Sequence, residues 1–279
     1  MTQRWNHLIA AAVLSSLTVA QLASAQEPSS NPTRQERYLA CTGQVAEDAD
    51  AALAEAAAWL DASDDRAARH CLALAQVETG AYAEAAENFQ AVARAVQEQR
   101  GLISTLEADG LDLALLSASL FAQAGHAALL AGAAPAAEAH LTEALDRVPQ
   151  EEADVRLELL IDRARARGGQ QQYEAALEDL NQAHLIDPQR LDVLLYRATT
   201  RRHLDRLDVA LADIEAALSG RPGWADALLE RGNLRALTGD EAGAQSDWLQ
   251  VIRYDPDSLA AAAAQQNLEQ LQETILSPQ

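Results

Sequence analysis

The chain is 279 residues long, its formal net charge at pH 7 is −21, and its 21 basic residues are all arginine. This acidic surplus argues against nucleic-acid binding, which needs a cationic surface to displace counterions from phosphate, and against anionic membrane surfaces. Hydrophobic residues make up 49% of the sequence but aromatic residues only 4%, with 13 glycines and 8 prolines. Closely packed alanine-rich helices fit this composition, so we expect an all-α fold.

Residues 1–25 have the features of a cleavable signal peptide. Arg4 supplies a positive start, residues 8–20 are mostly apolar, and Ala23-Ser24-Ala25 is the small-x-small pattern that precedes a cleavage site. We predict cleavage after Ala25, a disordered leader at 26–34 and, for a bacterium with two membranes, a periplasmic location. An uncleaved anchor is the alternative, but serines and threonine interrupt an apolar run shorter than the roughly 20 residues that span a bilayer. No later segment is predicted to enter a membrane.

The two cysteines, Cys41 and Cys71, both follow the predicted cleavage site. An even number of cysteines in an exported chain favours a structural disulfide between them. The alternative is two small buried hydrophobic side chains that never meet.

The sequence repeats with a period of 34 residues over 157–190, 191–224 and 225–258, which align without a gap. Position 8 is Ala164, Ala198 and Gly232; position 20 is Ala176, Ala210 and Ala244; position 24 is Leu180, Ile214 and Trp248; position 32 is Pro188, Pro222 and Pro256. Small residues at positions 8 and 20 allow two helices to approach closely, and the bulky residue fills the space behind them. Proline cannot continue a helix and so marks the end of each repeat.

This pattern resembles the tetratricopeptide repeat. The resemblance implies a right-handed α-solenoid of stacked helix-turn-helix units, each with a helix A and a helix B. Weaker copies occupy 66–99 and 118–151, separated by an insertion at 100–117 that either lengthens the flanking helices or forms a short helix of its own. A helical pair at 35–65 precedes the solenoid of 66–276, and 259–276 is predicted to be the helix that caps the last hydrophobic face.

Two departures from the common repeat pattern recur. Position 7 is arginine in all three clear repeats, position 11 is also arginine, and position 23 is aspartate. The residues are Arg163, Arg197 and Arg231; Arg167, Arg201 and Arg235; and Asp179, Asp213 and Asp247. We predict a structural ion pair between positions 7 and 23 within each repeat. The alternative is a ladder of exposed arginines that binds an acidic partner.

The resemblance also implies a concave groove lined by the A helices, where family members bind partner proteins. The corresponding positions here are Arg165, Asp192, Leu195, Thr199, Arg202, His203, Asp226, Leu229 and Asn233. Some family members clamp a partner's C-terminal carboxylate with lysine, asparagine and arginine. This chain has no lysine, and only Arg165, Arg202 and Asn233 could take that role.

The sequence contains no catalytic, metal or cofactor pattern that we can assign. The histidines after residue 25 do not fall at ligand spacing with one another or with a cysteine, and phosphate-loop, dinucleotide and nucleophile-elbow motifs are missing. We therefore expect a non-enzymatic periplasmic adaptor or scaffold, without cofactor, that binds a protein segment in the groove. The alternatives are a self-associating assembly protein of the cell envelope and an accessory factor for an envelope enzyme or complex.

Overall fold

The computed structural model describes residues 32–98 and 113–276, and side chains as far as residue 273. In this part of the chain every regular element is an α-helix, thirteen in all. The predicted signal peptide, most of the leader and residues 100–112 of the insertion lie outside the described residues. The chain divides into two compact units, residues 1–131 and 132–279.

The first unit contains five described helices. The initial helix begins at Arg34, within the predicted leader, because Thr33 and Glu36 form a capping box that satisfies the first free backbone N–H groups. The bounds are α1 Arg34–Glu47, α2 Ala49–Ala62, α3 Arg66–Glu78, α4 Tyr82–Glu98 and α5 Leu113–Leu130. Because α5 begins at Leu113, residues 113–117 of the predicted insertion lengthen the flanking helix.

The second unit contains one helix from the copy 118–151, then three helix pairs that follow the three clear repeats, and then a final helix. The bounds are α6 Ala134–Leu145, α7 Ala153–Gly169, α8 Tyr173–Ile186, α9 Leu191–His203, α10 Leu207–Gly220, α11 Ala225–Leu237, α12 Glu241–Tyr254 and α13 Leu259–Leu276. Each of α6 to α12 packs against the helix that follows it in sequence. In the three clear repeats, α7, α9 and α11 are the A helices, and α8, α10 and α12 are the B helices.

The turn between helix A and helix B has one backbone feature that recurs in all five repeats. Position 15 adopts a positive φ each time, and it is glycine three times: Gly80, Gly132, Gly239, Gln171 and Asp205. In the repeat that begins with α7, the N–H of Gln172 donates to the carbonyl of Arg167, and that of Gln171 donates to Gly168. These two bonds form a Schellman motif that satisfies carbonyls at the helix end. A shared turn at a fixed position supports the 34-residue period upstream as well.

The core of the second unit follows from the repeat positions. The alanines at positions 8 and 20 are at most 3% exposed, and the bulky residues at position 24 at most 4%. In the last repeat Gly232 takes position 8, where an added Cβ would lie 2.5 Å from Nε1 of Trp248. The small residues therefore set how closely helix A approaches helix B. At the C-terminal end, Leu268 and Leu271 of α13 pack against the same core, as expected of a capping helix.

The first unit contains the predicted disulfide, which joins α1 to α3 through Cys41 and Cys71, both fully buried. Beside it, Nδ1 of His70 lies 2.9 Å from the hydroxyl of Tyr38, and Nε2 lies 3.1 Å from Oε1 of Gln123. These contacts link α1, α3 and α5. Burial lowers the pKa of His70 and outweighs the hydrogen bond that the ring donates to Gln123, so the neutral ring is favoured at pH 7.

One described helix is long and apolar enough to cross a membrane, which the sequence analysis did not anticipate. It is α5, with 18 residues and a mean hydropathy of 1.5, and 56% of it is buried inside the protein. It packs against α4 and contributes Leu113, Leu120 and Phe121 to the core. Its hydropathy is therefore explained by packing within the first unit.

Candidate functional site

Each clear repeat of the second unit contains one buried aspartate held by two arginines. In the first, Asp179 accepts bonds from Arg163 at 2.7 and 3.0 Å and from Arg167 at 2.8 Å. The next two repeats reproduce this arrangement with Asp213, Arg197 and Arg201, and with Asp247, Arg231 and Arg235. We call these the Arg–Asp–Arg triads.

The triads place the predicted pairs of positions 7 and 23 in direct, two-point contact. The sequence analysis paired only those two positions and missed position 11, although its arginine recurs just as regularly. The arginine side chains at positions 7 and 11 are between 9% and 26% exposed, and each is bonded to a carboxylate that is at most 7% exposed. They are therefore occupied inside the repeats, and the geometry does not favour an exposed arginine ladder for an acidic partner.

The three A helices α7, α9 and α11 lie side by side, and side chains tie each to the next. Arg190, just before α9, reaches back to Glu158 on α7 at 2.6 and 3.1 Å and also pairs with Asp192. Further along, Arg202 on α9 donates to Glu230 on α11 at 2.7 and 3.3 Å. We call the surface formed by positions 2, 5, 6, 9, 12 and 13 of these three helices the A-helix face.

The residues that could have clamped a carboxylate are already engaged on this face. Arg165 bonds to Asp162 at 2.8 Å, and Arg202 is held by the buried Glu230. Asn233 accepts from the indole N–H of Trp248 at 3.2 Å and from Asn267 at 2.8 Å. A partner's C-terminal carboxylate would have to displace these contacts, so the arrangement does not favour a carboxylate clamp.

The other predicted groove residues differ in how far they reach the surface. Leu195 is only 8% exposed and belongs to the hydrophobic core, and Leu229 packs against that core from a half-buried position. Both leucines follow the apolar stripe of their helix. Thr199 is half-buried, and His203 is exposed and stacks on Tyr173 with ring centroids 4.4 Å apart. The leucines therefore serve mainly for packing, which corrects the expectation that Leu195 lies open in the groove.

Acidic residues recur at positions 2 and 6 of the A-helix face, and of these Asp226 is exposed. Position 2 is acidic in all three helices: Glu158 and Asp192 share Arg190, and the exposed Asp226 accepts only the indole N–H of Trp224, at 3.2 Å. The pKa of Arg190 is raised, chiefly by its bonds to Glu158. Position 6 adds Asp162 and Glu230, which the sequence analysis missed. Their signal was the acid at the same place in two of three repeats.

Tyr196, at position 6 of α9, lies in the middle of this face and was also missed. Its ring is half-buried, and its hydroxyl makes no hydrogen bond to any described residue. Burial raises the pKa of Tyr196. Arg165 lowers it, and the carboxylates of Asp192, Asp162 and Asp226 raise it further. The charges around this hydroxyl therefore come from all three A helices.

Within the described residues, no group of three or more histidine, cysteine, aspartate or glutamate side chains is arranged to hold a metal ion. The five carboxylates of the A-helix face are engaged by arginine or indole donors, and no nucleophile and base are paired there. The geometry offers a polar recognition surface.

Comparison with solved structures identifies the fold. YrrB, a TPR protein with an unusual peptide-binding site, superposes with a TM-score of 0.52 at 16% identity, covering 76% of this chain and 97% of YrrB. The chain has the tetratricopeptide-repeat fold. Structures of MamA agree, with TM-scores of 0.55 for its RS-1 ArsTM double mutant and 0.51 for MamA, at 13% and 14% identity, covering 70% and 68% of this chain and 96% and 92% of theirs.

No family model matches the sequence, and no curated protein matches it. Departures from the common pattern, with arginine at positions 7 and 11 of the TPR units, are consistent with this divergence. The predicted all-α class and stacked helix pairs are confirmed. The two-unit division falls at residues 131/132, inside the predicted TPR copy 118–151.

Proposed function

We propose that this protein is a non-enzymatic adaptor or scaffold that binds a segment of a partner protein on the A-helix face. The observation that carries the proposal is the row of side-by-side A helices with accessible polar groups and a half-buried tyrosine. A face of this kind offers an elongated ligand contacts from several repeats at once. YrrB, which has the same fold, has a peptide-binding site.

We further propose that the protein works in the periplasm. The support comes from the signal-peptide features of residues 1–25, with cleavage after Ala25. The disulfide between Cys41 and Cys71 is consistent with an oxidising compartment, where such bonds persist. N-terminal sequencing of the protein released from an intact periplasmic fraction tests this point. A chain that starts at Met1 or stays in the cytosol would contradict it.

Affinity capture from an envelope extract, with the chain from Gln26 onwards as bait, tests the adaptor function. Asp226→Trp places a bulky side chain at an exposed position of the A-helix face. Glu178→Trp makes the same change at an exposed position on α8, a B helix, and is the matched control. We expect a protein that the wild type and Glu178→Trp retain and Asp226→Trp loses. Equal retention by all three baits would place the binding surface elsewhere.

A self-associating assembly protein is the second candidate, supported by an exposed apolar group at the C-terminal end of the second unit. Leu259, which begins α13, is 92% exposed, and Tyr254 at the end of α12 is 58% exposed. Light scattering over a range of concentrations distinguishes the candidates. A monomer throughout excludes self-assembly, whereas oligomers that Leu259→Gln disperses would favour it.

A further inference from the structure

We propose that the occupant of the A-helix face is a cationic, extended protein segment, one that presents lysine or arginine side chains to Asp192, Asp226 and Tyr196. This inference rests on the proposed adaptor function and specifies its partner. It runs against the expectation that recurring arginines in a groove select an acidic ligand.

The arginines of the A-helix face are already paired with carboxylates of the same protein. Arg165 and Arg202 on the face bond to Asp162 and Glu230, which are 6% and 5% exposed, so releasing either arginine would leave a buried carboxylate without its cation. The arginines at positions 7 and 11 lie within the triads. Arg165 is exposed, with 41% of its side chain accessible, but an acidic segment would have to compete with the buried Asp162 for it.

The carboxylates of the A-helix face outnumber the arginines that pair with them. Asp226 is exposed and has only a neutral indole donor, and Asp192 is half-buried and shares Arg190 with Glu158. Five carboxylates at positions 2 and 6 face three arginines, Arg165, Arg190 and Arg202. The face is thus acidic after its internal pairs are counted, and a cation adds to it without displacing any of them.

Tyr196 adds a polar and aromatic group to this face. Its hydroxyl has no hydrogen-bond partner among the described residues, and its ring is half-buried on α9, the helix that also carries Asp192. A hydroxyl can accept from an ammonium or guanidinium group, and an aromatic ring attracts a cation over its face. Arg165, which bonds to Asp162, is the main cationic influence on this hydroxyl, and Asp192 and Asp226 contribute negative charge that a basic side chain of the ligand could meet.

Spacing determines the form of the ligand. Asp192 and Asp226 occupy the same repeat position on neighbouring helices, whose axes lie about 8–10 Å apart where helices pack. An extended strand advances about 3.3 Å per residue. Basic residues separated by two or three positions in an extended segment would therefore meet successive acidic side chains.

Fluorescence anisotropy with defined peptides tests the inference. The probes are acetylated, amidated 12-residue peptides that alternate alanine with lysine or alanine with glutamate, titrated with the chain from Gln26 onwards. We expect the lysine peptide to bind, more weakly as salt rises, and the glutamate peptide not to bind. The double substitution Asp192→Asn with Asp226→Asn should weaken lysine-peptide binding about threefold to tenfold, as expected for two partly exposed ion pairs.

The matched control removes the same two charges from an exposed B-helix surface, by Glu174→Gln with Glu178→Gln. It should change binding by less than about twofold, because only screened long-range attraction is lost. Tyr196→Phe keeps the ring and the fold and removes the hydroxyl, and should weaken binding about fivefold. Circular dichroism of each variant under the binding conditions verifies that it remains folded.

Three results would overturn the inference: a glutamate peptide that binds at least as tightly, equal loss in the face and control variants, or no binding of either peptide. The adaptor function is judged separately by capture. A partner lost from Asp226→Trp together with no lysine-peptide binding would refute the cationic ligand and leave the adaptor function standing.

Discussion

Removal of one triad carboxylate should destabilise the second unit strongly. Asp213 is 6% exposed and accepts from Nε and Nη2 of Arg197 at 2.8 and 2.6 Å, as well as from Arg201. In Asp213→Leu the guanidinium of Arg197, which is 7% exposed, keeps its charge but loses its partner. Loss of one member of a buried ion pair costs about 3–5 kcal/mol in the free energy of unfolding. For a unit of this size that is roughly 6–20 °C in Tm.

The comparison that separates charge burial from shape is a double-mutant cycle. Arg197→Met alone leaves Asp213 with Arg201 as its remaining partner and should cost about 2–4 kcal/mol. The double variant Arg197→Met with Asp213→Leu replaces the pair by apolar groups, so the loss should be only about 1–2 kcal/mol, since Arg201 can turn towards solvent. The two sites should therefore be coupled by more than about 2 kcal/mol.

Urea unfolding followed by tryptophan fluorescence measures these changes. In the chain from Gln26 onwards, which lacks Trp5, a Trp59→Phe background leaves Trp224 and Trp248 to report on the second unit. Glu215→Ala, which removes an exposed carboxylate from the same helix as Asp213, should stay within about 0.5 kcal/mol of the wild type. If Asp213→Leu and Arg197→Met leave the midpoint unchanged but abolish partner binding, the triads are a recognition device and the structural interpretation is refuted.

Three further outcomes are expected. Replacing both Cys41 and Cys71 by serine should lower the stability of the first unit by about 3–4 kcal/mol, given their sequence separation of 30, and an unchanged urea midpoint would contradict this. Because burial lowers the pKa of His70, the unfolded chain binds its proton more readily, so this residue should reduce stability as pH falls below about 6.5. The loss of Tm between pH 7.5 and 5 should be smaller in His70→Phe, and equal losses would count against it. Gly232→Ala should shift the indole of Trp248 and cost about 1–3 kcal/mol, measured by urea unfolding with Gly168→Ala, which has open space, as the control.

Much of the fold could be predicted because the repeat pattern reports directly on packing. Alanine at positions 8 and 20 and proline at position 32 have local physical causes, and the helices end and pack where those residues require. The start of α1 at Arg34 was missed because a capping box depends on two side chains rather than on composition. The apolar length of α5 was overlooked because its many alanines and two serines are only weakly hydrophobic. The helix nevertheless contains no Asp, Glu, Lys or Arg, and this raises its mean hydropathy.

The candidate site was predicted less well, for a different reason. Repeat position indicates which side of helix A a residue occupies, but it does not indicate which neighbour that residue meets. Arg202 and Glu230 belong to different repeats, so no spacing within one repeat reveals their pair. Arg190 and Glu158 are the last and second residues of one repeat, but their contact joins the start of α9 to α7 and depends on how successive A helices pack. Leu195 was placed in the groove by position, yet it is 8% exposed and packs into the core of the second unit.

The triads also suggest why arginine occurs twice in each A helix. Alanine-rich helices offer few distinct shapes, so helix A could slide along helix B by one turn with little loss of apolar contact. Positions 7 and 11 are one turn apart, and after such a slip the buried aspartate could meet only one arginine while the other stayed desolvated and unpaired. The correct register satisfies both. Because these arginines are then committed inside the repeats, they are not available to an acidic partner, which is consistent with the cationic segment proposed for the A-helix face.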